Sequence, residues 1–462
     1  MLDRELTSYS LLEVAALISR KEASPLEVVN AYLKRIDRLN GQLNAIVTIA
    51  PDVEEQARRA EALMAGGEAI GPLHGVPLTI KDTIATAGIR TTSGSQIRKD
   101  FIPTADAIAV ARLKAAGAII LGKTNTPEMA IPYETDNPVF GRTNNPYDER
   151  LTPGGSSGGE AAAIAACLSP GGVGSDLSGS IRVPAHFCGI VGLKPTSGRI
   201  PMDGHVPSPR GTRAGGACLG PMARTVADVS LLFRVLAGIE SENPSHSQEV
   251  NVSAVCWYDF DGVTAVSSET RMAVRAAVEA LEKAGLRCFA KRPTAVAAGS
   301  RLWVELFAAA SANDLREFYL GSEDLAGPVA RRVLNTARTE PRPGELEKTL
   351  QERDRLRDEL LALMESTPLI VAPVGATTAF PHHASRVSID GESVSVFRAF
   401  CYAQTFNVFD LPAVVVRAGS TAAGLPVGVQ IVGRPFEEER VLNAAAIIEE
   451  ALGASKPKRY EP

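Results

Sequence analysis

What this chain lacks narrows its chemistry first. Its 462 residues hold six cysteines, Cys167, Cys188, Cys218, Cys256, Cys288 and Cys401, far apart and with no C-x-x-C pair. That spacing offers no disulfide framework and no zinc site, and settings such as AACL and GLRCFA suit buried free thiols in a reducing cytoplasm. A basic excess is missing too: 48 basic residues face 53 acidic ones, a net charge of -5. The electrostatic footprint of a nucleic-acid partner is therefore absent, and a small neutral or moderately polar substrate is expected. No apolar run reaches the roughly 20 residues that span a bilayer. The start, MLDRELTSYSLLEVAAL, is acidic early and lacks the basic segment and cleavage site of a secretory signal. These absences predict a soluble, cytoplasmic protein with no membrane or nucleic-acid partner. Histidine is sparse, and none of the six stands in a clear catalytic context; His382-His383 is adjacent rather than spaced by four on a helix, and reads as an exposed surface pair. No metal and no cofactor is expected.

What is present is bulk and alternation. At 45% hydrophobic the chain can bury one large core or two or three ordinary ones. The first 65 residues read as helical, with Ser24-Pro25-Leu26-Glu27 forming a capping box that opens an amphipathic run to about Leu39. From Gly71 short apolar stretches (VPLTI, AIIL, GGVG, GIVGL) alternate with alanine-rich helical ones (ADAIAVARLKAA, GGEAAAIAACL), which predicts an α/β layer fold. Thr225 caps a further helix reaching about Ala237, and ESENPSHSQEV, residues 240–250, is the most linker-like stretch. Beyond it the pattern predicts a strand near 252–257, helices near 269–285 and 344–365, strands in PLIVAPV, AVVVRAG and PVGVQIVG, and a closing helix from about Glu437 to Ala451. Periodicity alone leaves open whether 240–250 separates domains or is an excursion from one sheet.

Four segments invite a chemical reading. GAIILGKT, residues 117–124, fits the P-loop pattern, but Ala-Ile-Ile-Leu belongs in a buried strand and not in a phosphate cradle of small residues. GGSSGG contains G-x-S-x-G centred on Ser156 or Ser157, yet a nucleophile elbow follows an apolar strand, and here the polar RTNNPYDERLTP precedes it. A second turn, Gly174-Ser175-Asp176-Leu177-Ser178-Gly179-Ser180-Ile181-Arg182, is small enough to point several N–H groups one way, as an oxyanion hole does; its plain reading is a tight connection whose Asp176 satisfies its own backbone. Finally, Lys81 ends the apolar strand of Val76-Pro77-Leu78-Thr79-Ile80, where an ammonium is costly unless paired or deprotonated; the plain reading is a lysine that snorkels to the surface.

Taken together, the last three segments resemble the amidase signature family. Supporting stretches are LGKTNTPEMA, DNPVFGRTNNPYD, GIVGLKPTSGRIP, GPMARTVAD and GLPVGVQIVGRP, and the likeness covers the chain from Gly71 onward, most weakly between about 245 and 395. The resemblance implies one α/β/α sandwich with a large mixed β-sheet. The N-terminal helical segment, residues 1–65, would pack on a signature domain of residues 66–462, its core about 70–240 and its C-terminal part about 250–462, so that the linker is an excursion. It also implies Ser180 as nucleophile, Ser156 as a second serine after a cis peptide bond, and Lys81 as base. Neutral Lys81 would draw a proton from Ser156, which draws one from Ser180 as it attacks an amide carbonyl. For that, the lysine pKa must fall from about 10.4 to near 7, equivalent to about 4 kcal/mol. The N–H groups of Leu177, Ser178, Gly179 and Ser180 would hold the oxyanion, Asp176 and Arg182 would brace the turn, and Ala130 and Ile131 fall where a family member lines its acyl pocket. One departure stands out: the family more often has glycine at the position of Ser178.

The implied function is hydrolysis of a carboxylic amide through an acyl-enzyme, with esters, anilides and carbamates presenting the same electrophile. The partner would be a small-molecule amide, with a homodimer left open. A rival within the family is the glutamine-hydrolysing A subunit of glutamyl-tRNA amidotransferase. That protein usually carries glutamine and proline after the Ser-Ile-Arg element, where this chain has Val183-Pro184-Ala185-His186-Phe187. A rival of another class is an inactive binding or scaffold protein on the same fold.

Overall fold

Ser24 caps the helix Pro25–Leu43: its hydroxyl accepts from Glu27 N, and the Glu27 carboxylate accepts from Ser24 N in return, with Pro25 at the first turn. Such local rules recur along the chain in a computed structural model that describes residues 6–68, 70–239, 254–335, 342–453 and 460. Thr225 caps Val226–Ala237, Ser267 caps Ser268–Lys283, and the late helices run Pro343–Ser366 and Glu438–Leu452. The predicted linker at 240–250 lies outside the described residues.

The strands in chain order are β1 (Ile46–Ile49), β2 (Pro77–Lys81), β3 (Ile119–Thr124), β4 (Gly171–Asp176), β5 (Val191–Lys194), β6 (Cys218–Ala223), β7 (Ala254–Trp257), β8 (Arg287–Ala290), β9 (Leu369–Pro373), β10 (Arg386–Ile389), β11 (Glu392–Ser395), β12 (Ala413–Ser420) and β13 (Pro426–Val432). Eleven of them form one sheet in the order β1-β3-β2-β4-β6-β5-β12-β13-β9-β7-β8, while β10 and β11 pair as a separate hairpin. The sheet is mixed. β3, β2 and β4 run parallel to one another, as do β9, β7 and β8, and the remaining pairings are antiparallel.

Alternation along the central strands builds two apolar layers. Val414 and Val416 of β12 and Val429 and Ile431 of β13 face one core, shared with the helices Val226–Ala237, Ser268–Lys283 and Glu438–Leu452. Ala413 and Val415 face a second core with Phe187, Phe400 and Phe406. Because side chains in a strand alternate faces, helices cover both sides, which makes the predicted α/β/α sandwich.

Two expectations need correction. The opening residues are not wholly helical, because Asn44 ends its helix in the left-handed conformation (φ 51°) and the β-branched run Ile46-Val47-Thr48-Ile49 then pairs antiparallel with β3 at the sheet edge. Four residues between two strong helices give too short a period-2 signal to read. Cys288 is only partly buried, whereas the other five cysteines are buried; all six are free thiols.

Candidate active site

The site lies at the carboxyl ends of parallel strands. Register pairs Thr79 with Gly172 and Ile80 with Val173, so β2 and β4 deliver Lys81 and Ser175 side by side. This is where open α/β sheets bind ligands. Lys81 does not snorkel: it is fully buried, and its Nζ lies 2.6 Å from Ser156 Oγ and 2.9 Å from Ser175 Oγ. Burial pushes its pKa down to about 7, against the opposing pull of Asp176 and Glu160.

Ser156 reaches the lysine from the GGSSGG loop, where the Gly155–Ser156 peptide is cis. Glycine is required here by close approach: a Cβ on Gly155 would stand 2.6 Å from Pro132 O, and one on Gly159 2.4 Å from Asn125 N. Thr126 Oγ1 donates to the Ser156 carbonyl at 3.0 Å, and Ser157 N donates to the Ser180 carbonyl at 3.1 Å, which ties the two serine turns together. Ser156 and Ser180 are both buried and line one cavity, and the Ser180 hydroxyl has no hydrogen-bond partner among the described residues.

The turn after β4 presents N–H groups because its carbonyls are held from behind. Trp303 Nε1 donates to Leu177 O at 2.8 Å, Tyr133 Oη donates to Ser178 O at 2.6 Å, and Val183 N donates to Gly179 O at 2.7 Å. In a trans peptide the N–H points opposite to the C=O, so fixing one aims the other. Among the described residues the N–H groups of Leu177, Ser178 and Ser180 have no acceptor. Gly179 N differs: it already donates to Asp176 Oδ1 at 2.8 Å. Gly179 also carries the left-handed conformation of the turn (φ 104°), and a Cβ there would stand 2.6 Å from Ala403 Cβ. Ser178 has no such requirement, so serine in place of the family's glycine leaves the turn without backbone strain at that position.

Asp176 and Arg182 form a fully buried pair at 3.0 Å beneath this turn. The carboxylate also accepts from Ile181 N at 3.1 Å and Asn407 Nδ2 at 2.9 Å, and Arg182 donates onward to Gln430 Oε1 and Asn407 Oδ1. Burial alone would raise the Asp176 pKa, but the Arg182 guanidinium and these hydrogen bonds hold it well below the usual carboxylate range. Ala130 and Ile131 line the same cavity as Ser156 and Ser180, joined by Met129, Met202, Trp303 and Leu315.

Several residues of the site carry no readable signal in the sequence. Glu160, in the first turn of the helix Gly158–Ala165, is buried between Thr79 and Thr124, and desolvation pushes its pKa up to about 7. Lys123, the lysine of the P-loop-like GAIILGKT, ends buried strand β3 and donates to Ile84 O, Thr86 and Thr91; burial pushes it down to about 8. His205 Nε2 lies 2.9 Å from Ser175 Oγ. Each partner is far away in the chain, and only the folded sheet joins them. His382 corrects an expectation: it is not an exposed partner of His383, because its side chain is buried, with Nδ1 3.1 Å from Glu134 Oε1. His383 remains exposed.

A family model described as Amidase matches residues 27–442. The A subunit of glutamyl-tRNA(Gln) amidotransferase from Roseiflexus castenholzii is 34% identical over 472 residues, covering 94% of each chain. An acylamidase of Rhodococcus erythropolis is also 34% identical, covering 97% of this chain and 96% of its own. The solved structure of 6-aminohexanoate cyclic dimer hydrolase complexed with substrate superimposes with a TM-score of 0.86 at 28% identity, over 99% of this chain and 100% of that one.

Proposed function

The chain belongs to the amidase signature family of C–N hydrolases, and we propose that it cleaves carboxylic amides as a single-chain enzyme, with Ser180 as nucleophile, Ser156 as proton relay and Lys81 as base. The observation that carries this reading is the 2.6 Å contact between Ser156 Oγ and a buried Lys81 with a pKa near 7. A lysine in that environment is neutral just above neutral pH, and its lone pair can take a proton.

The proposed steps use these groups in turn. As Ser180 Oγ attacks the carbonyl carbon, its proton passes to Ser156 Oγ, whose own proton passes to Lys81 Nζ. Charge then develops on the carbonyl oxygen, facing the N–H groups of Leu177, Ser178 and Ser180, with Gly179 N shared with Asp176. Ser156 returns a proton to the departing amine, Lys81 restores it to Ser156, and water attacks the acyl-enzyme by the same relay. Ala130 and Ile131 bound an apolar cleft with Met129 and Trp303, which favours a neutral acyl or aryl group; anilides, esters and carbamates offer the same reacting atom.

A second reading rests on the 34% identity to the A subunit of an amidotransferase: glutamine hydrolysis within a complex. The two separate on one experiment. The purified chain alone is assayed with a chromogenic anilide and with glutamine. The single-chain reading expects anilide turnover without partner proteins; glutamine turnover that appears only with partners would replace it. Labelling by a fluorophosphonate, lost in Ser180→Ala, distinguishes either enzyme from an inactive scaffold.

A further inference from the structure

Lys81 contacts two hydroxyls, and the proton relay uses only one. The other, Ser175 Oγ, lies 2.9 Å from Lys81 Nζ and also 2.9 Å from His205 Nε2. On the far side of the ring, His205 Nδ1 lies 2.8 Å from the Pro207 carbonyl oxygen. That oxygen can only accept, so Nδ1 carries the proton. The ring is buried at 7% exposure, and burial together with the Lys81 and Arg213 charges pushes its pKa down to about 3. In the resulting neutral tautomer Nε2 has a lone pair and no hydrogen, so Ser175 must donate its hydroxyl proton to it.

The consequence falls on the base. A neutral amine has two N–H donors and one lone pair, while Ser175 has one proton, already committed to His205. Lys81 can meet Ser175 only by donating an N–H, which leaves its lone pair for Ser156. We propose that His205 is a positioning residue that fixes the direction of this hydrogen-bond chain and keeps Ser175 from capping the lone pair of Lys81. The chain then runs one way, from Ser156 to Lys81, to Ser175, to His205, to the Pro207 carbonyl. Without an acceptor at position 205, the Ser175 hydroxyl is free to turn and donate to Lys81, in competition with Ser156. The other titratable and charged groups that line this cavity are Asp176, Arg213, Cys218 and Asp314, and Lys81 reaches it through Ser175. This inference rests on the proposed role of Lys81 as base.

The test is the second-order rate at which a fluorophosphonate labels Ser180 in the full chain, read by intact mass. In that step the Ser180 Oγ–P bond forms, the P–F bond breaks with loss of fluoride, and the serine proton passes to the relay. His205→Leu is expected to slow labelling by about ten- to a hundredfold, the scale on which misdirected general-base catalysis acts. The double variant Ser175→Ala/His205→Leu is expected to label faster than His205→Leu, because no hydroxyl is left to cap the amine. His205→Gln, whose carboxamide oxygen can accept from Ser175, is expected to return to within about threefold of wild type. Labelling of His205→Leu at the wild-type rate, a double variant no faster than His205→Leu, or a His205→Gln variant as slow as His205→Leu would each overturn the proposal. Should His205→Leu not fold, the flexible His205→Met replaces it in every comparison. Lys81→Ala, measured alongside, separates the two levels: wild-type labelling there removes the base itself, whereas an inert Lys81→Ala beside an unimpaired His205→Leu removes only the role of His205.

Discussion

The Tyr133 hydroxyl donates to the Ser178 carbonyl at 2.6 Å and accepts from Gln404 Nε2 at 3.0 Å, so a side chain more than forty residues upstream sets the plane of a peptide in the turn before Ser180. Removing that donor frees the Ser178 carbonyl to rotate and carries the N–H groups of the turn with it. Tyr133→Phe is expected to lower kcat by about tenfold with little change in KM, less than the hundredfold or more that loss of a direct oxyanion donor costs. Steady-state kinetics on an anilide decide this; a rise in KM at constant kcat would move Tyr133 from the turn to substrate binding.

Asp176 and Arg182 have no solvent to fall back on. Asp176→Asn leaves a buried guanidinium without its counter-charge, a change that typically costs about 3–5 kcal/mol. The expected result in urea denaturation is a loss of that size. Because the folded state holds the Asp176 pKa below its unfolded value, the stability it contributes is complete above about pH 5 and fades as the pH falls through the folded value, so wild type and variant should converge in acid. A gap that stays constant with pH would place the cost elsewhere.

Lys81 has the opposite sign. Its folded pKa of about 7 lies below the unfolded value, so between the two the unfolded chain binds more protons and wild-type stability rises with pH. At neutral pH and below, burying this ammonium costs about 4 kcal/mol. Lys81→Met is therefore expected to be inactive yet more stable than wild type near pH 6, with the advantage shrinking toward pH 10. Thermal unfolding across that range checks it, and an advantage that grows with pH would contradict the direction of the shift.

The same group should shape catalysis. The acid limb of kcat/KM is expected near pH 7, where Lys81 loses its proton in the free enzyme. A limb set by a histidine would instead fall at that residue's own pKa. Burial pushes His186 down to about 4 and His205 to about 3, so neither titrates in that window.

Much of this was legible from residues close in sequence. Caps at Ser24 and Thr225 mark helix starts through side chains only three residues from their partners, and Lys81 stands out because an apolar strand has little reason to end in an ammonium. The buried strand seen in GAIILGKT follows from Ala-Ile-Ile-Leu alone. What could not be read is set by distance along the chain. Ser175 was visible as one small residue in a small-residue turn, but its bonds to Lys81 and His205 come from β2 and from a loop thirty residues on. Trp303 and Tyr133, which hold the turn, lie on elements that meet only once the sheet has formed, and β1 is too short to announce itself between two amphipathic helices. Ser178 departs from the family pattern, and that its backbone stays out of the left-handed region, which falls to Gly179 instead, is visible only in the folded turn.

The proposed chemistry turns on Lys81 as the base. The most direct measurement is kcat/KM for an anilide in Lys81→Ala against wild type just above neutral pH, with Ser180→Ala as the inactive reference and circular dichroism confirming the fold. Loss of a general base predicts a fall of about a thousandfold or more, to near the Ser180→Ala background. A folded Lys81→Ala that keeps activity within about tenfold of wild type would contradict the account.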